Sequence, residues 1–403
     1  MRIRAGGVSK QGRRQNNQDA FSVNEEAKVF AVADGMGGLE GGERVSREAV
    51  TAVRRQARGI HRLARKASSS GSAQDRRALF NRVEQLYEDA GGTIYDMAEK
   101  EGQKMGTTLT TAVLSGDQLT VGHVGDSRAY RIRGRTVDLL TTDHSVAAMR
   151  YRRGTMTLDE YYDSPLRNVL YEFLGHDPEV GTDVVEETLQ AGDKLVLCSD
   201  GVWDYISNER LIALASIPDP QLGAEAFVDE ALHLGSDDNC TAVVVHVVNV
   251  SQTMAISPAR ALAFSKLFSG MKPSDLRMLT PFMSLRATSP GDEIIREGDM
   301  GDELFIVARG KVEVRRKGIP LIQLPARSHF GELALTCDTP RSASIYAVDA
   351  TDLVVLDREG LTELGEKRPD LANRVLLRLM AWVGTRLIEM TDRAVQAENE
   401  LRG

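Results

Sequence analysis

The sequence predicts an α+β fold in two successive parts. The first is sheet packed on sheet with helices outside, and the second is a small β-barrel, or jelly roll, with flanking helices. Three observations carry this. Residues 3–250 hold many short apolar β runs bounded by turn residues. One long interruption, Gly42–Gly102, has helical spacing instead, as at Leu79, Val83, Leu86 and Tyr87. From Ala287 to Val355 short strands alternate with Gly-rich turns, the pattern of a compact barrel. This mix of strands and helices suggests a layered α+β arrangement.

The elements follow in chain order. Val29–Ala33, Thr108–Leu114, Leu119–Val124, Ala129–Ile132, Lys194–Cys198 and Thr241–Val248 read as strands, separated by turns such as Ser115-Gly116-Asp117 and Arg133-Gly134. Within the helical stretch, Arg54–Arg82 is rich in arginine with few acids before Asp75. It reads as a solvated helix surface with a loop at Ser68–Ser72, or as a patch for acidic phosphopeptides. A short polar connection, Ser251–Pro258, follows the last strand, and Pro258 can open a helix. Ala259–Leu267 and Pro273–Phe282 read as short helices broken by Ser269-Gly270. The turns Pro290-Gly291-Asp292, Gly298–Asp302 and Arg309-Gly310 punctuate the barrel. Pro369 starts a final helix to about Glu400, with Leu371, Val375, Leu376, Leu379, Trp382 and Val383 on one face. The division expected is 1–249, a linker at 250–258, and 259–403.

Composition narrows the function. A chain of 403 residues suggests two or three domains, and a 42% hydrophobic fraction is enough for full cores. No apolar run reaches a membrane-spanning length, and Met1–Arg4 is not followed by a secretory apolar stretch. Cys198, Cys240 and Cys337 are sparse and odd in number, which suits a reducing compartment and no disulfide framework. A cytoplasmic protein without membrane association is expected. The net charge of −8 disfavours nucleic acid as the main partner. No Cys or His cluster has zinc spacing, so any metal must be held by carboxylates.

Those carboxylates stand at strand ends. Val29–Ala33 leads to Asp34-Gly35, Val121–Gly125 to Asp126, and Lys194–Ser199 to Asp200-Gly201, while Asp238 opens the strand at Cys240. Strand ends of this kind can converge on one cleft, where clustered carboxylates repel one another unless a hard cation neutralises them. Magnesium and manganese both suit such oxygen ligands. The glycine after Asp34 lets a backbone carbonyl approach the same ions. Two ions sharing one carboxylate lower the pKa of a water held between them, and an arginine fork can grip phosphate oxygens. Arg14, in Gly12–Asp19, is the candidate fork. His144 after Asp143 reads as a turn cap rather than a catalytic group, and Cys198 and Cys240 as small buried residues.

Residues 1–249 resemble the bacterial form of the PPM family of metal-dependent protein phosphatases. The resemblance rests on six ordered elements: Arg14-x-x-Asn17-x-Asp19, Ala33–Gly38, Gly106-Thr107-Thr108, Val124–Arg128, Ser199-Asp200-Gly201 and Ser236–Thr241. It implies a four-layered α-β-β-α phosphatase sandwich acting on phosphoserine and phosphothreonine proteins with two or three Mn2+ or Mg2+ ions. By position, Asp34 would bridge two ions with the Gly35 carbonyl on one, and Asp200 and Asp238 would complete that centre. Asp126 would help hold a third ion. Arg14 would grip the phosphate, Asp19 would act through water, and Asn239 would support the cluster. A flap choosing substrates would map to Ser145–Asn168. Two residues depart from the family: Gln18 stands in place of a common glutamate, and Met36 where animal members have histidine. The second departure leaves the proton donor unassigned.

Phe330-Gly331-Glu332-Leu333-Ala334-Leu335 and Pro340-Arg341-Ser342-Ala343 form the second motif. A short helix from Gly331 would turn free N–H groups toward an anion. Glu332 and Arg341 read either as a surface ion pair or as acceptor and clamp for a sugar hydroxyl and a phosphate. Residues 262–385 resemble the cyclic-nucleotide-binding domain, through Gly291–Asp299, Leu304–Gly310, Phe330-Gly331-Glu332 and Arg341. The resemblance implies Glu332 on the ribose 2′-hydroxyl, Arg341 on the cyclic phosphate, and N–H groups of Leu333 and Ala334 beside them. Serine rather than threonine at Ser342 leans toward cAMP over cGMP. Trp382 would pack against the barrel in preference to capping the base. The expected protein is thus a phosphatase regulated by a cyclic nucleotide. The alternatives are an active phosphatase whose second domain only dimerises through the last helix or targets the protein, and an inactive nucleotide-responsive scaffold.

Overall fold

The computed structural model describes residues 1–38, 41–70, 73–250, 258–337 and 339–402. The chain forms two compact units, Met1–Ala255 and Ile256–Gly403. The expected linker falls, save for its ends, outside the described residues, as do positions 71 and 72 of the expected serine-rich loop.

The strands of the first unit are β1 (Arg2–Lys10), β2 (Asp19–Asn24), β3 (Val29–Gly37), β4 (Met105–Thr107), β5 (Leu109–Ser115), β6 (Gln118–Val124), β7 (Arg128–Arg133), β8 (Thr136–Leu139), β9 (Asp183–Thr188), β10 (Lys194–Cys198) and β11 (Cys240–Asn249). Its helices are α1 (Gly41–Ser70), α2 (Ala73–Glu101), α3 (Val146–Arg152), α4 (Leu158–Asp163), α5 (Asp200–Trp203), α6 (Asn208–Ala215) and α7 (Pro220–His233). One sheet runs β1-β11-β10-β7-β8. The other runs β2-β3-β5-β6-β9, with β4 added onto β3, and every described pairing is antiparallel. The sheets meet where β2 and β3 pack on β1, β10 and β11.

Helices cover both outer faces, giving the α-β-β-α layering. On α1 the buried positions Val45, Ala49, Val53, Ala57, Ile60, Ala64 and Ala67 recur every three or four residues, a single stripe. The alanines let α1 lie close on β2, β3 and β5. Each larger side chain buried here contributes about 1.5–3 kcal/mol. Because β5 is covered on both faces, all seven of its residues are buried. On the other sheet α7 packs against β1 and β11. Asp219 caps its first turn, accepting from the N–H groups of Gln221 and Leu222, and Pro220 occupies the first helical position.

The second unit contains β12 (Ser284–Thr288), β13 (Glu293–Ile295), β14 (Glu303–Arg309), β15 (Lys311–Arg316), β16 (Ile319–Pro325), β17 (His329–Phe330), β18 (Ser344–Ala347) and β19 (Thr351–Asp357). Its helices are α8 (Pro258–Phe264), α9 (Pro273–Leu279), α10 (Leu333–Thr336), α11 (Arg358–Lys367) and α12 (Pro369–Arg402). Two four-stranded antiparallel sheets, β12-β19-β14-β17 and β13-β18-β15-β16, enclose Ile295, Phe305, Val307, Val312, Phe330, Ile345, Leu353 and Val355. Phe305 and Phe330 stack at 5.0 Å. Leu371, Ala372, Val375 and Leu379 of α12 are buried, and Arg374 pairs with Asp275 of α9 at 3.3 Å. Trp382 meets His329 edge-on at 4.4 Å, a packing role within this unit. No helix among the described residues is long and apolar enough to cross a membrane.

Candidate active site

The register of β2 and β3 sets Asp19 directly opposite Asp34. Like charges so paired on an antiparallel ladder are destabilising, so this pair needs a compensating charge. Contrary to the expectation that the strand ends at Asp34, β3 continues to Gly37, and Gly35 pairs with Thr107 of β4. The extension fixes the backbone of Asp34. Its N–H donates to Thr108 Oγ1 at 2.9 Å, while its carbonyl accepts from Thr107 Oγ1 at 2.8 Å and from the Thr108 N–H at 2.9 Å. Thr108 Oγ1 also bonds Ser127 Oγ at 2.8 Å, beside Asp126. Gly35 admits no side chain, because a Cβ there would lie 2.0 Å from the Gly42 carbonyl oxygen.

The other sheet brings Asp200 and Asp238. Asp200 is the first residue of α5, separated from β10 by Ser199 alone, and Asp238 is separated from β11 by Asn239 alone. Gly201 passes so close to the Asn239 carbonyl that a Cβ would lie 2.1 Å from it. Asp19 joins the two sheets: its Oδ2 accepts from Ser199 Oγ at 2.8 Å and from Thr241 Oγ1 at 2.6 Å. Asn239 holds the preceding loop. Its Nδ2 donates to the carbonyls of Gln11 and Asn16 at 2.8 and 2.9 Å, and its Oδ1 accepts from the Gln18 N–H at 2.8 Å.

The electrostatics are those of crowded acids. Burial pushes Asp19 up to about 7, and the Asp200 and Asp238 charges add to it against the hydroxyl bonds from Thr241 and Ser199. Burial also raises Asp34, with further repulsion from Asp19, Asp200 and Asp126. Asp126 is raised by burial, then by Asp200 and Asp143, and Asp200 by burial and then Asp238. No three acidic, histidine or cysteine side chains among the described residues are drawn close enough to grip an ion as they stand. The donor set nevertheless fits a hard divalent cation. It is all oxygen and strongly anionic, and it includes two buried carboxylate oxygens, Asp19 Oδ1 and Asp200 Oδ1, without a hydrogen-bond partner.

Arg14 stands at the rim, 57% exposed, with Nη2 2.6 Å from Asp238 Oδ2. A cavity of about 1060 Å³ opens beside it, lined among others by Gln18, Gly37, Glu43, Arg44 and Asn239. Gln18 turns its Nε2 to the Gly37 carbonyl at 3.1 Å. Cys198 and Cys240 are buried and their thiols are pushed up to about 12 and about 11 by that burial, so neither is a nucleophile.

Several supporting residues carried no role in the sequence reading. Arg128 is buried in a two-pronged ion pair with Asp143, at 2.9 and 2.7 Å, and stacks on Trp203 at 3.4 Å. Tyr161 of α4 donates to Asp143 Oδ2 at 2.8 Å, and Arg167 pairs with Asp204. The segment Ser145–Asn168 thus folds as α3, α4 and a 3-10 turn, tied to Asp143 through Tyr161 and to Asp204 through Arg167. Trp203 Nε1 donates to the Asp126 carbonyl at 2.9 Å. His144 is buried and caps a turn, the role its sequence position suggests. Its Nδ1 accepts from the Gly125 N–H at 3.3 Å, and its Nε2 faces Asp183. It braces the turn before Asp126, where Gly125 has φ of +100°.

The second unit places its motif differently from the expectation in one respect. The helix after Gly331 begins at Leu333 and has four residues, too few for a useful dipole, and the Ala334 N–H is turned onto the Gly331 carbonyl at 3.2 Å. Arg341 is half-buried. It donates from Nη1 to the carbonyls of Glu303 at 3.0 Å and Gly331 at 3.2 Å. A Cβ on Gly301 would lie 2.6 Å from its guanidinium, so Gly301 keeps room for the arginine. Burial lowers the Arg341 guanidinium, against the pull of Glu303, Asp302 and Glu332. Glu332 therefore lies within electrostatic reach of Arg341, while Leu333 and Ser342 are exposed.

The sequence profile described as protein phosphatase 2C matches residues 6–237. The chain belongs to the protein phosphatase 2C family. A second profile, the cyclic nucleotide-binding domain, matches residues 285–368. Among curated relatives, the serine/threonine protein phosphatase PstP of Mycobacterium tuberculosis is 31% identical over 239 residues, 59% of this chain and 43% of PstP. This chain therefore spans less than half of that relative's length. The serine/threonine phosphatase stp of Listeria welshimeri is 29% identical over 57% of this chain and 89% of its own. The crystal structure of the M. tuberculosis phosphatase PstP/Ppp aligns with a TM-score of 0.54 and 28% identity, covering 62% of this chain and all of that one. A PstP catalytic domain in complex with two manganese ions aligns at 0.51 and 28%, covering 61% and 99%.

Proposed function

We propose that the chain hydrolyses phosphoserine and phosphothreonine monoesters on proteins, with Mn2+ or Mg2+ in the acidic cluster, and that its second unit binds a cyclic nucleotide, cAMP in preference to cGMP, which regulates that activity. The observation that carries the first part is the crowding of Asp19, Asp34, Asp126, Asp200 and Asp238 upon one another, with Arg14 paired to Asp238 at the rim. Asp34, the Gly35 carbonyl, Asp200 and Asp238 would hold two ions, and Asp126 a third. When bound, the ions would supply Lewis acidity, easing the build-up of negative charge on an attacking water and on the phosphoryl oxygens.

The chain's own groups do the rest. Thr107 and Thr108 hold the Asp34 backbone in place. Ser199 and Thr241 keep Asp19 Oδ2 oriented and leave Oδ1 for water in the cleft. Asn239 fixes the loop that presents Arg14. Arg14 neutralises Asp238 and, being more than half exposed, can exchange that partner for a substrate phosphate. Uptake of an ion by Asp238 competes with the same pair, so ion and phosphate together leave both residues satisfied.

The test is hydrolysis of a phosphothreonine peptide with manganese and after chelation. Activity that persists in chelator contradicts the reading. In the same assay Arg14→Ala is expected to raise KM by about 10–100-fold, the loss of one charge-assisted contact, with a smaller change in kcat. Manganese affinity should be kept or improved, since Asp238 is freed. Manganese binding that disappears in this variant shows that Arg14 has been given the wrong role.

A second reading of the C-terminal unit, assembly, is favoured by one observation. Leu377, Met380 and Ile388 are between 64% and 68% exposed on α12, an apolar surface consistent with a homodimer through that helix.

A further inference from the structure

The arginine-rich stretch Arg54–Arg82 runs from the second half of α1 into the start of α2. At its C-terminal end α1 turns His61, Arg62, Arg65 and Ser69 toward the turn that ends at Lys28 and toward Ser115-Gly116 between β5 and β6. Together they enclose a groove of about 790 Å³. Its walls are tied to each other. Ser68 Oγ and Ser115 Oγ lie 3.1 Å apart, and the Leu114 N–H donates to the Lys28 carbonyl at 3.0 Å. Lys28 has φ of +52°, a left-handed conformation that a lysine adopts rarely and that strains the backbone.

The charge there is unbalanced. Among the described residues no carboxylate lies within ion-pair distance of Lys28, Arg62 or Arg65. Two further lining residues are paired with groups of opposite charge: Lys66 with Asp75 at 2.7 Å, and Glu26, the one carboxylate of the lining, with Arg58 at 3.7 Å, the latter pair almost wholly exposed. Burial lowers His61, and Lys28 and Arg65 lower it further, so the cations crowd one another. This is a local positive groove on a chain whose net charge is −8. Lys28 lies six residues back from Asp34 along β3, about 20 Å at the rise of a strand. The groove and the acidic cluster are therefore at opposite ends of the sheet.

Resting on the phosphatase reading, we propose that this groove docks an acidic segment of the substrate protein, remote from the phosphorylated residue being cleaved. An extended chain spans about 3.3–3.6 Å per residue, so the segment must lie at least about six residues from that phosphate, and further along a path over the surface. Arg62 and Arg65, one helical turn apart, suit carboxylates spaced along such a segment. Attraction of this kind concentrates substrate at the enzyme and weakens as salt rises.

The test compares two substrates on the full chain: a short phosphothreonine peptide, and the same peptide with six glutamates placed twelve residues away. The extension should raise kcat/KM by about tenfold at low salt, and the double variant Arg62→Glu, Arg65→Glu should lose that gain while keeping kcat/KM for the short peptide and for p-nitrophenyl phosphate. Fluorescence anisotropy with a labelled hexaglutamate peptide lacking phosphate should show binding to the wild type and not to the variant. Equal kcat/KM for both substrates, or an unchanged gain in the variant, overturns the proposal. So does binding of inorganic tripolyphosphate without binding of the peptide, which would make the groove a small-anion site. If neither the short peptide nor p-nitrophenyl phosphate is hydrolysed, the phosphatase reading fails, and the anisotropy arm still decides whether the groove binds acidic peptide.

Discussion

Asp34→Asn is expected to abolish phosphopeptide turnover, by more than about 10^3-fold, since loss of even one stabilising donor at a reacting centre costs about 10^2–10^3. The same substitution should stabilise the metal-free protein. Asp34 faces Asp19 across the β2–β3 ladder and is crowded by Asp200 and Asp126. Its carboxyl titrates higher in the folded chain than in the unfolded one, so its ionisation opposes folding. That penalty is absent below the ordinary carboxylate range, grows as pH rises through it, and is full above the raised folded value. An asparagine removes the charge and keeps the shape. The melting temperature of the metal-free variant should therefore exceed that of the wild type at pH 8, by about 2–4 °C for each kcal/mol relieved, and the gap should close near pH 4. Melting curves at the two pH values check this. A variant less stable at pH 8 would mean that Asp34 is held by something other than its carboxylate neighbours.

Arg341→Ala should remove cyclic-nucleotide binding. A half-buried guanidinium that donates only to two backbone carbonyls has donors left for an anion. Truncating a charged group that clamps a phosphate costs about 2–5 kcal/mol, a loss of about 30-fold to several thousand-fold in affinity. Calorimetry with cAMP and cGMP on wild type and variant measures it, and cAMP is expected to bind the wild type more tightly. Basal hydrolysis should be unchanged, because Arg341 belongs to the other unit. A nucleotide changes the rate only if it binds one conformation of the protein better than another, and typical couplings of about 1–3 kcal/mol give 5–150-fold effects. If neither nucleotide binds at millimolar concentration, the unit serves assembly or targeting. If one binds and rates never change, regulation is excluded while binding stands.

What the sequence revealed and what it hid have physical causes. Lys194–Cys198 was legible to the residue because Leu195–Cys198 is an apolar run and the next residue, Ser199, is the N-cap of a helix. β1 was missed because Arg2, Arg4 and the glycines at 6 and 7 break its apolar pattern. β9 was missed because its glutamates are buried: Glu186 pairs with buried Arg76 on α2, and Glu187 with Arg131 at 2.9 Å. No local pattern announces a long-range ion pair. The acidic cluster was found from strand-end aspartates, but the pairing of Asp19 with Asp34 depends on register, which the motif does not state. Asp143 gave no hint of its role, since its partner Arg128 is fifteen residues upstream and Tyr161 eighteen downstream. Thr107 and Thr108 could have been given a task. Two hydroxyls next to a strand that must hold a charged residue are a recognisable backbone clamp. The start of α10 was set two residues too early, because a left-handed glycine, Gly331 at φ +83°, cannot begin a helix.

Titration of manganese into the metal-free protein by calorimetry at pH 7 shows whether the buried acids form a divalent-metal centre. Asp19 is pushed up to about 7, and burial and carboxylate neighbours raise Asp34 and Asp200 too, so all three hold protons more tightly than free carboxylates. Binding must expel these protons, so the measured heat should depend on the ionisation enthalpy of the buffer. The account predicts at least two ions bound per chain with net proton release, and binding lost in Asp34→Asn. Binding without proton release, or equal binding by Asp34→Asn, would contradict it.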